Sequence, residues 1–310
     1  MKPDILLLDR FSGPGEERLD AAYRVHRGYA GSVTLDDVAP RIRAIVTSGA
    51  KGARSEIVDR LPSLEIIAIR GVGTDAVDLD ETRRRSIRVT TTPNLLTDDV
   101  ADLAIGLLLA TARRICQADR FVRAGDWRSG ALLPLARKVT GMRIGIVGLG
   151  RVGRAIAARA VGFTRHIAYT DLQAFADIPY RFFPSARELS EESDALVLAA
   201  SGGPQSRNVV DAAVLRALGP QGLLINVARG SLVDEGALVS ALTQGRLGGA
   251  GLDVFVDEPN APEALWGLDT VVLQPHRASA TEETRRAMED LVLANLSAHF
   301  SGAPLPSAIA

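Results

Sequence analysis

Residues 142–163, MRIGIVGLGRVGRAIAARAVGF, place three glycines between an apolar run and a helix-like pattern of Ala and Arg. In a strand–turn–helix unit of this kind, Gly148 would make the tight turn and Gly150 would let the backbone approach a pyrophosphate. Gly153 would let the helix close on the strand. The segment therefore predicts a dinucleotide-binding βαβ unit.

An acidic residue follows the next predicted strand, where a ribose would lie. Asp171 comes 18 residues after Gly153, and such sites carry an acid about 20 residues on. A carboxylate there accepts both ribose hydroxyls and repels a 2′-phosphate, and the next residue, Leu172, has no charge to offset that phosphate. NAD(H) is therefore favoured over NADP(H), with the pyrophosphate at the helix N-terminus near Arg151 and Val152. The alternative is a solvated acid at a strand end.

Short apolar runs alternate with helix-like stretches along the whole chain, which predicts parallel strands joined by helical crossovers. The predicted strands are 5–8, 44–46, 66–69 and 87–91, then 143–147, 167–169, 195–199, 223–227, 250–254 and 271–273. A helix over 97–115, capped by Thr97, would join the two series, and an amphipathic helix would cover 281–300. We expect an α/β fold of two doubly wound, Rossmann-like domains with a cleft between them.

Composition excludes several classes of protein. The chain has 310 residues, 46% hydrophobic and 24% charged, with a net charge of −1. A nearly neutral chain has no net positive charge to attract nucleic acid or anionic lipid. No apolar run is long enough for a membrane span. The single cysteine, Cys116, excludes an intrachain disulfide and a cysteine-based metal site. We expect a cytoplasmic protein without nucleic-acid, membrane or metal partners.

A second glycine cluster, at Gly71, Gly73 and Ala76, also follows a predicted strand. No acid ends the strand after it, so it lacks the expected ribose partner. Two interpretations stay open: a tight loop whose N–H groups at Val72 and Gly73 bind a small anion, or an ordinary turn.

Three residues with catalytic chemistry follow three predicted strands of the second series: Arg229, Glu258 and His276. The carboxyl ends of parallel strands border the ligand crevice, so these side chains can converge beside a nicotinamide. Arginine can hold a carboxylate, histidine can protonate a developing alkoxide, and a nearby carboxylate favours imidazolium. Together they fit the reversible reduction of a 2-keto acid. Taken singly, each could instead be a surface ion pair, a turn residue or a loop histidine.

Five segments resemble the D-isomer-specific 2-hydroxyacid dehydrogenases in order and spacing. They are TDDVADLAIGLLLATARRI, GIVGLGRVGRAIA, LLINVARGSLVDEGAL, GAGLDVFVDEP and VVLQPHRASAT. Within that family the chain is most similar to the branch of glyoxylate/hydroxypyruvate and hydroxyphenylpyruvate reductases. The resemblance implies a substrate-binding domain of residues 1–98 plus 284–310, a cofactor domain of residues 99–283, and a homodimer joined through the cofactor domains.

The resemblance also assigns roles to residues. It implies Arg229 as the residue that orients the substrate, His276 as general acid/base and Glu258 as its partner. It makes the N–H groups of Val72 and Gly73 ligands of the substrate carboxylate.

On the cofactor side, the resemblance implies that Asp253 accepts a hydrogen bond from the nicotinamide carboxamide. Ala228, which precedes Arg229, joins the cofactor-binding residues. In the same family, Trp127 or Leu133 would border the partner subunit's site.

Some features depart from the family or stay open. Members of the similar branch often carry a small residue and an arginine where this chain has Asp171 and Leu172, and those members favour NADP. Residues 199–210, AASGGPQSRNVV, replace the usual loop containing Thr-Pro. Arg70 either favours a longer or acidic substrate or points to solvent. Alternatives to a glyoxylate/hydroxypyruvate-type reductase are a reductase of aromatic or sugar-derived 2-keto acids, a formate-type dehydrogenase, and a dinucleotide-sensing protein without turnover.

Overall fold

The computed structural model describes residues 2–31 and 34–309. Its strands are β1 (Asp4–Leu7), β2 (Arg24–Arg27), β3 (Ile42–Ser48), β4 (Ile66–Arg70), β5 (Arg88–Thr90), β6 (Ile144–Val147), β7 (Ile167–Thr170), β8 (Arg181–Phe182), β9 (Ala195–Leu198), β10 (Leu223–Asn226), β11 (Gly249–Leu252) and β12 (Val271–Leu273). Its helices are α1 (Gly13–Ala22), α2 (Leu35–Val38), α3 (Ser55–Val58), α4 (Leu79–Arg84), α5 (Thr97–Ala112), α6 (Ile115–Arg123), α7 (Arg151–Ala160), α8 (Ala186–Glu191), α9 (Ala212–Leu218), α10 (Glu235–Thr243) and α11 (Glu282–Ser301).

The chain divides into two compact units, one of Met1–Leu96 with Ser279–Ala310 and the other of Thr97–Ala278. The first contains a five-stranded sheet in the order β2-β1-β3-β4-β5, and every pairing in it is parallel. Helix α11 packs on this sheet through Val292 and Leu296, which join its apolar core. Thr281 caps α11 by accepting a hydrogen bond from the N–H of Thr284, which confirms the predicted helix and its cap.

The second unit contains a seven-stranded parallel sheet in the order β12-β11-β10-β9-β6-β7-β8. The chain proceeds outward from β6 in one direction to β8 and then returns to build β9 to β12 on the other side. Ligands of doubly wound sheets bind where the strand order reverses, which here is between β6 and β9. The predicted class of two doubly wound parallel-sheet domains is confirmed by both sheets.

The predicted linking helix is shorter than expected. Helix α5 begins at Thr97, ends at Ala112, and is followed by a separate helix α6. Arg114 adopts a left-handed backbone conformation with φ of 53°. A non-glycine residue in that region interrupts a right-handed helix, so the chain changes direction here.

No described helix is both long and apolar enough to cross a membrane. The cytoplasmic location stays a prediction.

Candidate active site

Register brings the ends of the central strands of the second unit to one edge. Val147 of β6 pairs with Thr170 of β7 and with Leu198 of β9. Asn226 of β10 likewise pairs with Leu252 of β11. The loops that follow these strands therefore leave the sheet side by side, as the crevice of a doubly wound fold requires.

The glycine loop after β6 has a tight side and an open side. Gly148 has a φ of +88°, and a side chain there would lie 2.5 Å from the backbone nitrogen of Ala200. A side chain at Gly153 would lie 2.1 Å from the carbonyl oxygen of Gly148, whereas one at Gly150 would have no neighbour within 4 Å. Helix α7 can approach the loop only because Gly153 has no side chain. The backbone at Gly150 is left open to a ligand.

A groove of about 990 Å³ lies beside this loop. Gly148, Gly150 and Asp171 line it together with residues that the sequence did not single out, namely Phe175, Pro184 and Arg187. Phe175 lies in the loop after β7, Pro184 between β8 and α8, and Arg187 in the first turn of α8. No spacing in the sequence predicts their positions.

Asp171 lies in the groove with both carboxylate oxygens engaged by backbone. Oδ2 accepts a hydrogen bond from the N–H of Leu149 at 2.7 Å, and Oδ1 accepts one from the N–H of Leu172 at 2.7 Å. Each oxygen has a further lone pair, so the carboxylate is held in place and still has acceptor capacity for ribose hydroxyls.

His276 and Glu258 form a close pair after β11 and β12. Nδ1 of His276 lies 2.7 Å from Oε2 of Glu258. The other carboxylate oxygen, Oε1, accepts the N–H of Phe255 at 3.1 Å. Burial works to raise the pKa of Glu258. The hydrogen bond and charge of His276, the N–H of Phe255 and the charge of Arg229 together outweigh it, so that the pKa lies below its usual value. The carboxylate therefore stays ionised and leaves Nε2 as the ring nitrogen that can exchange a proton with a substrate.

Asp253 fixes the loop that carries His276. Its carbonyl oxygen accepts the N–H of His276 at 2.8 Å. Its carboxylate accepts the N–H groups of Arg277 at 2.7 Å and Ala278 at 2.9 Å. These three bonds hold His276 at a φ of 50°, a left-handed conformation that is costly for histidine. Burial raises the pKa of Asp253. Contact with a nicotinamide carboxamide stays a prediction, because this fully buried carboxylate already serves the loop.

A buried asparagine, which the sequence had not indicated, shapes the turn before Arg229. The side chain of Asn226 donates to the carbonyl of Arg229 at 2.9 Å and accepts the N–H of Ala228 at 3.0 Å. The Arg229 guanidinium donates to the carbonyl of Ala228 at 2.7 Å. Its positive charge contributes to the lowered pKa of Glu258. A polar residue inside an apolar strand was the available signal for Asn226.

In the first unit, the loop after β4 presents two backbone donors. Gly71 is fastened to Thr92, whose N–H donates to the carbonyl of Gly71 at 2.7 Å and whose Oγ1 accepts its N–H at 2.9 Å. The N–H groups of Val72 and Gly73 that follow have no acceptor within the described part of the chain. Two free, adjacent donors fit an anion-binding loop better than an ordinary turn.

Arg70 does not point to solvent. Its guanidinium is buried, lies 3.4 Å from Glu289 and 3.3 Å from Asp9, and stacks over the ring of Phe11 at 4.8 Å. The charge is balanced within the first unit, because burial without a partner would be costly. The solvent interpretation of Arg70 is therefore wrong, and an influence on the choice of substrate stays a prediction.

Residues 105–278 match the family model described as the D-isomer specific 2-hydroxyacid dehydrogenase, NAD binding domain. A 2-ketogluconate reductase of Gluconobacter oxydans is 48% identical over 97% of this chain and 96% of its own. The chain belongs to the D-isomer-specific 2-hydroxyacid dehydrogenase family. It is accordingly an NAD(P)-dependent enzyme acting on 2-keto and 2-hydroxy acids.

The chain is also similar to two reductases whose names state a substrate. A hydroxyphenylpyruvate reductase of Plectranthus scutellarioides is 47% identical over 97% of both chains. A solved structure of an NADPH-dependent glyoxylate/hydroxypyruvate reductase from Sinorhizobium meliloti, in complex with NADP and malonate, is 42% identical. It has a TM-score of 0.92 and covers 100% of this chain and 97% of that one.

The other three histidines of this dehydrogenase either pair with a nearby carboxylate or are exposed. His26 lies 2.7 Å from Asp4, His299 lies 3.0 Å from Glu65, and the side chain of His166 is exposed. Among the described residues, no group of three or more His, Cys, Asp or Glu side chains could hold a metal ion.

Proposed function

We propose that this dehydrogenase reduces a small polar 2-keto acid, with hydroxypyruvate and glyoxylate as the first candidates, to the D-2-hydroxy acid with NADH. The observation that supports it is the His276–Glu258 pair, with Nδ1 and Oε2 2.7 Å apart, within the field of the Arg229 charge. A bound nicotinamide supplies or accepts the hydride. The protein has to supply the proton, hold the substrate and keep the two in line.

In this proposal His276 is the general acid of reduction and the general base of oxidation. Nε2 gives its proton to the oxygen that becomes an alkoxide and takes it back in the reverse reaction. Glu258 holds the ring through Nδ1 and stabilises the imidazolium form. Asp253 positions the ring by fixing the backbone of its loop. A formate-type reaction has no use for this pair, since formate gives a hydride and CO₂ and has no hydroxyl proton to remove.

The substrate carboxylate is assigned two groups of ligands. Arg229 can hold it with a planar fork of donors, and the free N–H groups of Val72 and Gly73 can donate hydrogen bonds to it as an anion site. We accordingly assign residues 1–98 and 284–310 to substrate binding and residues 99–283 to cofactor binding. Gly148, Gly150, Arg151, Val152 and Gly153 would hold the pyrophosphate.

The preference for NAD(H) rests on Asp171. Its carboxylate is fixed by backbone N–H groups in the nucleotide groove, where it would bind ribose hydroxyls and repel a 2′-phosphate. The similar enzyme from Sinorhizobium meliloti is NADPH-dependent by its name, so the choice has to be measured for this chain.

The decisive assay follows loss of reduced-nicotinamide absorbance with hydroxypyruvate, in parallel with NADH and NADPH. We expect turnover with kcat/KM favouring NADH by about tenfold or more, because like charges at a binding site strongly disfavour a ligand. A preference for NADPH would support the assignment as a reductase but contradict the role of Asp171 in cofactor choice.

A panel of keto acids distinguishes the remaining candidates. The 48% identity to a 2-ketogluconate reductase favours a sugar-derived 2-keto acid as the second candidate, and 4-hydroxyphenylpyruvate tests an aromatic one. Binding of dinucleotide without turnover on any of the four acids would favour a dinucleotide sensor.

Replacing Glu258 by Gln should lower turnover in both directions and remove the acid limb that Glu258 causes in the wild type. The lowered pKa of Glu258 keeps its carboxylate charged at neutral pH, and the charge is lost only as the pH falls through that pKa. Gln offers an oxygen to Nδ1 of His276 but no charge, so we expect kcat to fall by about tenfold or more. Steady-state pH profiles of both enzymes measure this; a variant with wild-type kcat and an unchanged acid limb would contradict it.

The homodimer joins through the cofactor unit in this proposal. Trp127, Leu132 and Leu135 are large apolar side chains that are exposed within one segment after α6, as an interface core would be in a separate chain. We expect sedimentation to show a dimer and Leu135→Asp to shift it toward monomer. Trp266→Asp, at an exposed apolar side chain elsewhere in the same unit, is the matched control and should stay dimeric. A wild-type monomer at assay concentrations would reject the interface.

A further inference from the structure

Arg154 lies on helix α7, one residue after the last glycine of the nucleotide loop, and its guanidinium has three neighbours. Nη1 lies 2.7 Å from Oδ2 of Asp177, and Nε lies 3.3 Å from the carbonyl oxygen of Leu149. The group also stacks over the ring of Phe175, 5.0 Å from its centroid. An arginine at the rim of a dinucleotide site is thus fixed by an acid and an aromatic ring.

This arginine is connected to the groove through two neighbours, Leu149 and Phe175. Leu149 donates its N–H to Asp171 and accepts from Arg154 through its carbonyl, so a single residue separates the ribose-binding carboxylate from the guanidinium. Phe175, on which the guanidinium stacks, lines the groove together with Asp171 and Leu172. A phosphate on the 2′-oxygen would enter this region.

Asp177 neutralises Arg154, and the chain between Asp171 and Asp177 is held in place. The N–H of Phe175 donates to the hydroxyl of Tyr169 at 2.8 Å, and the two rings stack with centroids 6.0 Å apart. The hydrogen bond from Arg154 lowers the pKa of Asp177, so this carboxylate stays charged at neutral pH. The arginine is therefore already engaged when a nucleotide arrives.

We propose that Arg154 and Asp177 form a second determinant of the NAD(H) preference, because Asp177 occupies the guanidinium that stacks on Phe175, a groove residue near the ribose-binding carboxylate. This inference rests on the proposed function of the groove. Asp171 repels the phosphate directly. Asp177 acts by pairing with Arg154, which would otherwise be available to bind the phosphate. Removal of Asp171 alone would then convert the preference only in part, and removal of both acids would release Arg154 to bind the phosphate with charge-assisted hydrogen bonds.

Binding of NADH and NADPH, followed by fluorescence titration without substrate, tests this in four variants. They are Asp171→Ser, Asp171→Ser/Asp177→Asn, Asp171→Ser/Arg154→Gln and Asp171→Ser/Arg181→Gln. Relative to the single variant, we expect NADPH to bind about tenfold more tightly when Asp177 is also replaced and about tenfold more weakly when Arg154 is replaced. NADH affinity should change less than about twofold, since NADH lacks the phosphate.

Arg181→Gln is the matched control, because Arg181 stacks in the same way over Phe183 at 4.4 Å, and Phe183, unlike Phe175, does not line the groove. It should leave the NADPH affinity unchanged. The NADPH gain from Asp177→Asn should also weaken with added salt, because an exposed phosphate–arginine contact is screened.

Equal NADPH affinity with and without Arg154 would overturn the proposal. So would a larger loss from a fifth variant, Asp171→Ser/Arg187→Gln, which removes an arginine that lines the groove itself. Failure of the proposed function is a separate result, since the wild type would then fail to bind or turn over NADH at all.

Discussion

Replacing His276 by Ala should reduce turnover by about a thousandfold while NADH still binds. General acid catalysis by a positioned side chain contributes roughly 10² to 10⁴, and the imidazolium also stabilises the developing alkoxide. The nucleotide groove lies beside β6, β7 and β9 and contains no atom of His276. The substitution should therefore affect kcat in both directions and leave the NADH dissociation constant within about twofold.

Steady-state rates and fluorescence titration of NADH measure these two quantities on one preparation. His166→Ala is the matched control, because it removes an exposed imidazole of the same unit. A His276→Ala enzyme with undiminished turnover would reject the proton-transfer assignment. Loss of NADH binding in the same variant would instead place His276 in the cofactor site.

The sequence predicted the central strands of both sheets well, because a strand buried on both faces is a continuous apolar run. It missed β2 and β8 because neither strand is a continuous apolar run. The residues of β2 are RVHR and those of β8 are RF; both lie at sheet edges, where charged side chains are favoured. Such strands become recognisable only when the neighbouring strand is known.

The candidate site was predictable where its chemistry is carried by residue type and spacing. Gly148, Gly153 and Asp171 were found because a dinucleotide imposes fixed intervals along one βαβ unit. Phe175, Pro184 and Arg187, which line the same groove, come from loops whose paths depend on tertiary packing. No interval in the chain indicates where such loops return to the sheet.

Asn226 and Asp253 illustrate a second limit. Both are buried polar residues whose partners are backbone groups of the neighbouring loop. Buried polar groups have to be hydrogen-bonded, so the sequence shows that each has a partner but not which one. For Asp253 the partners show a positioning role for the loop of His276 that was not expected from the resemblance.

Replacing Arg229 by Gln should lower kcat/KM for the keto acid by about 10² to 10³, the range found when one charged or oxyanion-binding donor is removed. Two effects add: the substrate carboxylate loses its fork of donors, and a charge that acts on Glu258 disappears. The kcat/KM of Arg229→Lys should lie between those of the wild type and Arg229→Gln, because an ammonium has the charge but not the planar fork. Arg246→Gln, at an exposed arginine of the same unit, is the control and should retain wild-type kinetics.

The substrate itself can distinguish carboxylate binding from a general loss of charge. Pyruvate and pyruvamide differ at the group that Arg229 is assigned to hold, while the ketone that accepts hydride is the same. The wild type should strongly prefer pyruvate, and Arg229→Gln should lose most of that preference, since a cycle of protein and substrate changes isolates the shared interaction. If the preference survives the substitution, the carboxylate is held elsewhere, and the N–H groups of Val72 and Gly73 become its principal ligands.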